Sequence, residues 1–185
     1  MDEAARRQIE GYARPLAVGL DGVTNYGDIQ RMVSASERIA ADQTGIDADL
    51  LFLLAVFSGQ EKWVSRMGHR SRTELFLSSL GVPPKTVQRL FRGLARFETA
   101  PATLEEEIVH DAVKLDAMGA YGIARGLADA YRERMDVLEM ADAIEAAAGA
   151  GLLTEKGRAL AEGRRALMHE FARRMREERA EFSRG

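Results

Sequence analysis

The segment EEEIVHDAVKLDAMGAYGIARGLADAY, residues 105–131, contains two helical patterns separated by a glycine-containing turn. Thr103 stands just before it and carries the hydroxyl that a helix N-cap uses, and Glu106 occupies the third position of a capping box. The pattern therefore predicts a helix over residues 103–118. A second helix, rich in small residues, is predicted over residues 120–131.

Outward from this segment the chain is helical in both directions. No stretch alternates apolar and polar residues as a half-buried strand does, and glycine and proline separate the periodic segments. The segment LLFLLAVF within residues 47–57 is typical of a helix buried on most sides. We predict an all-α protein, a compact helical bundle with a long C-terminal helix. The other predicted helices are residues 3–13, 26–43, 47–57, 70–80, 85–97, 137–148 and 154–181.

Length and composition restrict the class of protein. The chain has 185 residues, 46% of them hydrophobic, which predicts one domain spanning residues 1–185. It has no cysteine, which excludes disulfides and thiolate metal sites. A net charge of -3 gives no general affinity for nucleic acid. No apolar run is long enough to cross a membrane and the start does not resemble a signal peptide, so we expect a cytoplasmic protein with neither nucleic acid nor membrane as partner.

The last predicted helix has two different faces. One carries an apolar stripe, which predicts packing on the rest of the chain or on a second subunit and so allows a homodimer. The opposite face alternates arginine and glutamate, which predicts a solvated face with ion pairs four residues apart. The stripe consists of Leu160, Leu167, Met168, Phe171 and Met175.

Only three histidines, His69, His110 and His169, are present in the chain. Any metal site built mainly from imidazole must use them. His110 and Asp111 form a His-Asp dipeptide, but adjacent residues on a helix point about 100° apart and so rarely ligate one ion. We expect His110 to be a structural or surface histidine, His69 to have a capping or surface role near a helix start, and His169 to lie beside the charged face of the last helix.

Residues 105–131 resemble the second half of the HD-domain phosphohydrolases. In that family an aspartate on a helix is followed by a Leu-Asp-Ala step and then by Gly-Ile-Ala-Arg. The residues in those places are Asp111, Leu115, Asp116, Ala117, Gly119, Gly122, Ile123, Ala124 and Arg125. The segments at 25–59 and 153–175 are similar to the opening helix pair and the C-terminal helix of the same family, so the resemblance covers nearly the whole chain. It implies an HD-domain-like helical bundle with a central pocket.

The resemblance also implies which residues occupy the family's metal-ligand positions. The family holds its metal with a histidine on the opening helix, a His-Asp pair after the buried helix and a later aspartate. The metal lowers the pKa of a bound water that attacks a phosphoester. Here Asp28 matches the first histidine, Ser58-Gly59 replaces the His-Asp pair, and Asp111 matches the later aspartate. The site is therefore expected to be degenerate, with no cofactor and with a divalent metal disfavoured; any metal would use Asp28 and Asp111.

A pocket without its metal would show other polar groups. Asp28, Glu61 and Asp111 are the candidate acids or bases, and Trp63 and Tyr26 are candidates to stack on a planar ligand. Arg125 is expected to brace its own turn through an ion pair with Asp111 or Asp116, and a local ion pair between Asp111 and Lys114 is expected as well. The predicted pocket comprises Tyr26, Asp28, Arg31, Ser58, Gln60, Trp63, Asp111 and Lys114.

Three functions are compatible with this pocket. The first is a binding or regulatory protein without hydrolase activity, which takes a nucleotide or another small anionic or planar molecule. The second is a metal-independent lyase, isomerase or hydratase that uses Asp28, Glu61 or Asp111 as general acid or base. The third is a residual phosphohydrolase with an altered metal site.

Overall fold

The structure is a computed structural model that describes residues 1–17, 26–60 and 66–182. Those ranges contain nine helices and no strand, which confirms the all-α prediction. The bounds are α1 (Glu3–Ala17), α2 (Tyr26–Ala40), α3 (Ala48–Phe57), α4 (Met67–Ser79), α5 (Pro84–Leu94), α6 (Leu104–Asp116), α7 (Gly119–Glu133), α8 (Val137–Ala148) and α9 (Glu155–Phe182).

Most helix boundaries lie close to their predicted positions. Helix α8 has the predicted bounds, and α9 is the long C-terminal helix, with 28 residues. The largest difference is α1, which was predicted to end at residue 13 but continues through Pro15 to Ala17. The fixed φ of proline is compatible with a helix, although its nitrogen donates no hydrogen bond.

The chain divides into two compact units, residues 1–112 and residues 113–185. The boundary lies within α6. The prediction of one domain over residues 1–185 stays a prediction.

Helix α3 is the core of the first unit. All eight residues from Leu50 to Phe57 are buried, and α1, α2 and α5 pack on the helix. Its start is fixed by Asp47, whose carboxylate accepts a hydrogen bond of 3.1 Å from the backbone nitrogen of Leu50. An apolar helix that is surrounded by other helices buries side chains on every face, which matches the uninterrupted LLFLLAVF segment.

A polar cluster joins the start of α3 to α5 and α6. Arg89 on α5 lies 2.5 Å from the carboxylate of Asp47 and 3.4 Å from that of Glu105. Glu105 also accepts a hydrogen bond of 3.0 Å from the backbone nitrogen of Asp47. Because Glu105 is buried, these contacts satisfy a carboxylate that would otherwise be costly to remove from water.

Glu106 forms a second buried polar contact at the start of α6. Its carboxylate accepts two hydrogen bonds of 2.8 Å from the Arg96 guanidinium and one of 2.8 Å from the backbone nitrogen of Ala102. Thr103 caps the helix as predicted, since its hydroxyl accepts a 3.4 Å hydrogen bond from the Glu106 backbone nitrogen. The capping box differs from the usual form because the Glu106 side chain binds Ala102 and Arg96 instead of the N-cap residue's own nitrogen.

In the second unit, α9 packs on α7 and α8. Met168, Ala161 and Ala172 on α9 are buried there, whereas Leu167 of the predicted stripe is 45% exposed. A β-carbon at Gly122 on α7 would overlap the backbone carbonyl of Ala117, so only glycine fits this close approach. The stripe is therefore used in part within the unit, and the homodimer stays a prediction.

The arginine-rich face of α9 forms the predicted ion pairs. Arg173 contacts both Glu170 and Glu177 on the same helix. Arg176 reaches Asp142 and Glu145 on α8, each at 2.6 Å. These side chains are largely exposed, so each pair contributes little to stability. Within the part of the chain that the structure describes, no helix has an apolar segment long enough to span a membrane.

The contacts of Glu106 predict a specific loss of stability in acid. Burial raises the pKa of its carboxyl, but the hydrogen bonds from Arg96 and Ala102 outweigh this effect, so the pKa lies below the ordinary 4.5. Because the pKa of Glu106 is lower in the folded state, the ionised carboxylate contributes its full stabilisation above pH 4.5. This stabilisation is lost as the pH falls through the pKa that Glu106 has in the folded protein. We expect Glu106→Gln to lower the urea midpoint at pH 7 and to flatten its fall below pH 4.5.

The matched control is Glu107→Gln, in the same helical turn. We expect it to keep the wild-type pH dependence. Equal slopes of urea midpoint against pH in the wild type and Glu106→Gln would contradict the role given to Glu106.

Candidate functional site

The C-terminal end of α3 forms a tight corner of three residues, Ser58, Gly59 and Gln60. The backbone nitrogen of Ser58 donates to the carbonyl oxygen of Leu54 at 2.8 Å, and its hydroxyl donates to that of Ala55, also at 2.8 Å. Both groups therefore satisfy carbonyls that the end of a helix leaves without partners. The hydroxyl of Ser58 serves the backbone of its own helix.

Gly59 turns the chain away from the helix. Its φ is +79°, in the left-handed region that favours glycine. The next residue, Gln60, donates from its backbone nitrogen to the carbonyl oxygen of Phe57 at 3.0 Å. Ser58, with φ -60° and ψ 137°, and Gly59 are thus the central residues of a type II β-turn, which favours glycine at its second central position.

Gln60 attaches the corner to α1. Its side chain is buried, and the amide nitrogen lies 3.5 Å from the carbonyl oxygen of Ala13. The amide oxygen has no hydrogen-bond partner among the described residues. Buried polar atoms are nearly always paired, so an oxygen without such a partner is unusual.

Helix α1 also contacts Phe57, the last residue of α3, through Tyr12, which the sequence analysis did not identify. Its ring meets Phe57 edge to face, with centroids 6.5 Å apart, and stacks on Phe76 of α4 at 4.2 Å. Its hydroxyl lies 3.0 Å from that of Thr73. The only signal in the sequence was the apolar spacing of Tyr12 with Ile9 on one face of α1, which does not reveal the partner.

Asp28 lies in the first turn of α2, the helix that packs on α3. It is 8% exposed, and its carboxylate forms an ion pair with Arg31 on the next turn. The Arg31 side chain is 33% exposed, and that of Asp28 is 11% exposed. The carboxylate that the resemblance matches to the family's first histidine is thus paired with a cation of its own helix.

Asp111 is completely buried in α6, within the first unit. The neighbouring His110 has its Nδ1 atom 3.0 Å from the carbonyl oxygen of Phe97. The histidine therefore joins α6 to the segment after α5, which is the structural one of the two roles considered for it. His69 lies in the first turn of α4, and His169 is exposed, 3.7 Å from Glu145.

The other predicted site residues fall elsewhere. Glu61 and Trp63 lie outside the described residues, and of Tyr26 the structure describes the backbone at the start of α2. Lys114 lies in the second unit, so its predicted ion pair with Asp111 stays a prediction. Arg125 donates to the carboxylate of Asp116 at 2.6 Å, which confirms that it braces its own segment.

The residues present do not fit the metal that the HD fold implies. Asp28 is engaged by Arg31, the Ser58 hydroxyl donates to Ala55, and Gly59 has no side chain. No three acidic or histidine side chains in residues 1–17, 26–60 and 66–182 gather closely enough to hold an ion. Iron, manganese, cobalt and nickel sites require several oxygen or nitrogen ligands around one centre, so no reaction step is assigned to a metal.

The left-handed glycine predicts the effect of substitution at the corner. A β-carbon at position 59 would meet no atom within 4 Å, so the cost of Gly59→Ala comes from backbone conformation alone. We expect this variant to lose about 1 kcal/mol of unfolding free energy, measured by urea denaturation. The control is Gly163→Ala, within α9, which we expect to stabilise the protein because alanine is the better helix former. Equal effects of the two substitutions would contradict the conformation described for Gly59.

Comparison with solved structures identifies the fold. The chain is similar to the Lin1889 protein from Listeria innocua, with a TM-score of 0.77, 20% identity, and coverage of 96% of this chain and 97% of that one. YpgQ from Bacillus subtilis, solved in complex with ADP, matches with a TM-score of 0.72, 19% identity and 95% coverage of both chains.

An HD-superfamily hydrolase from Bacillus thuringiensis matches with a TM-score of 0.70, 16% identity, and coverage of 95% of this chain and 97% of that chain. No family model and no curated protein sequence matches the chain. At these identities the likeness establishes the fold alone. The chain therefore has the all-helical fold of the HD-superfamily hydrolases.

Proposed function

We propose that this HD-fold protein lacks the metal-dependent phosphohydrolase site and binds a small anionic or planar molecule at the corner after α3, best represented by a nucleoside diphosphate. The observation that carries the proposal is the ion pair between Asp28 and Arg31. An aspartate held by a guanidinium is a poor metal ligand because the metal would have to displace a cation already in place. The same ion pair holds a guanidinium on the helix that packs against α3.

Arg31 supplies the chemistry for an anion. A guanidinium has five N–H donors in a planar fork that suits two oxygens of a phosphate. One of its nitrogens binds Asp28, and the side chain is 33% exposed. A phosphate can therefore approach the guanidinium while Asp28 keeps it in position.

The corner supplies polar groups for the rest of such a ligand. The amide oxygen of Gln60 is buried without a hydrogen-bond partner among the described residues, and it accepts hydrogen bonds from amino or hydroxyl groups. A nucleotide carries both kinds of donor. The structure of YpgQ in complex with ADP, on a fold that matches this chain over 95% of its length, makes ADP the first ligand to test.

Calorimetric titration of the full chain with ADP, with all divalent metal removed, tests the proposal. We expect binding by the wild type and a loss of at least about tenfold in affinity for Arg31→Ala, because a charged hydrogen bond to phosphate is among the strong ones. The control is Arg38→Ala, in the last turn of the same helix, which should bind ADP as the wild type does.

A lysine substitution separates binding from folding. Arg31→Lys keeps a cation beside Asp28, so we expect intermediate affinity with unchanged circular dichroism. Failure of the wild type to bind ADP would reject the nucleotide. If phosphate were released from ADP after manganese is added, the protein would retain hydrolase activity. That result would contradict the proposal and favour a residual phosphohydrolase.

A further inference from the structure

A separate cavity lies among α1, α2 and α3, within the first unit. Its volume is about 220 Å³, and none of its lining residues belongs to the corner or to the Asp28–Arg31 pair. Most of its wall is apolar. The wall is made mainly of Val33, Ala40, Ile46, Leu51, Phe52 and Ala55.

Ser36 on α2 is the buried polar residue of this wall. It is 1% exposed, and its hydroxyl has no hydrogen-bond partner among the described residues. A serine within a helix usually donates to the carbonyl oxygen one turn earlier, and buried hydroxyls are rarely left without a partner. A hydroxyl that lines a cavity and lacks a protein partner points to a ligand group that pairs with it.

The lining also contains the uncharged Gln43 and two charged residues, which form an ion pair. Arg6 on α1 lies 3.3 Å from the carboxylate of Glu37, and its guanidinium stands 4.6 Å from the centre of the Phe52 ring. Both charged side chains line the cavity. Because their charges cancel, the cavity has no net charge to attract an anion or a cation.

Volume limits the size of the ligand. An apolar cavity of about 150 Å³ in a protein interior is known to bind benzene. The cavity here, at about 220 Å³ and partly open to solvent, has room for one aromatic ring and a small substituent. The alanines and the Phe52 side chain favour an aromatic ring in the ligand. The Ser36 hydroxyl favours a ligand whose ring carries a hydroxyl or carbonyl group.

We propose that this cavity binds a neutral molecule with a single aromatic ring that carries one hydroxyl or carbonyl group, which pairs with Ser36. The site is independent of the nucleotide proposed for the corner, since the two share no residue. Phenol is the simplest probe of this class. Toluene has nearly the same shape with a methyl group in place of the hydroxyl, and it reports on the apolar walls alone.

Titration of the full chain with phenol and toluene, followed by two-dimensional amide NMR, tests the site. We expect both probes to shift the amide resonances of Ser36, Phe52 and Ala55. Ser36→Ala should weaken phenol binding about tenfold, the effect of one lost hydrogen bond, and leave toluene binding unchanged. Ser34→Ala, an exposed position on the same helix, should change neither.

Further outcomes decide against the site. The absence of any phenol-induced shift at those amides in the wild type would overturn it, as would equal phenol affinity in the wild type and Ser36→Ala. Ala40→Leu, which places a larger side chain in the cavity, should weaken both probes; undiminished binding would overturn the assignment. Tighter binding of benzoate than of phenol would overturn the neutral ligand.

Discussion

The burial of α3 is the constraint on which the first unit depends. Eight consecutive residues, Leu50 to Phe57, are withdrawn from water, so three other helices must cover them. At about 25 cal/mol per Å² of apolar surface, such a helix is among the largest stabilising contributions in a chain of this size. A helix in this position must also have well-defined ends. Asp47, Arg89 and Glu105 fix its start, and the corner at Ser58 and Gly59 fixes its end.

The chemistry of the corner follows from how the helix ends. Ser58 uses both its backbone nitrogen and its hydroxyl on the last turn of α3, and Gly59 takes a conformation that favours glycine. In the HD-domain resemblance these two positions carry the ligand pair. Here the Ser58 hydroxyl donates to the last turn of α3. The carboxylate of Asp28, which the same resemblance assigns to a ligand position, is paired with Arg31.

The helices and the corner were accessible from the sequence because they depend on local patterns. The caps at Asp47 and Thr103 and the glycine at position 59 act within a few residues of their own position. The pair of Asp28 and Arg31 was not predicted, although both residues were assigned to the pocket. The contacts of Tyr12 with Phe76 and of Gln60 with Ala13 join residues more than 40 positions apart, and one sequence holds no record of such pairs. The cavity beside Ser36 arises from how small side chains pack, which periodicity does not describe.

The central claim is that the corner occupies the metal site of the HD fold with its ligands replaced. Its most direct test is the metal stoichiometry of the wild type and of a variant that carries Asp28→His, Ser58→His and Gly59→Asp, measured by elemental analysis after incubation with manganese. Aspartate tolerates the left-handed conformation at position 59 better than most residues do. The account predicts a substoichiometric ion in the wild type and about one equivalent in the variant, since the variant restores the three ligands that the HD-domain resemblance groups with Asp111. One tightly bound equivalent in the wild type would contradict it, as would none in the folded variant.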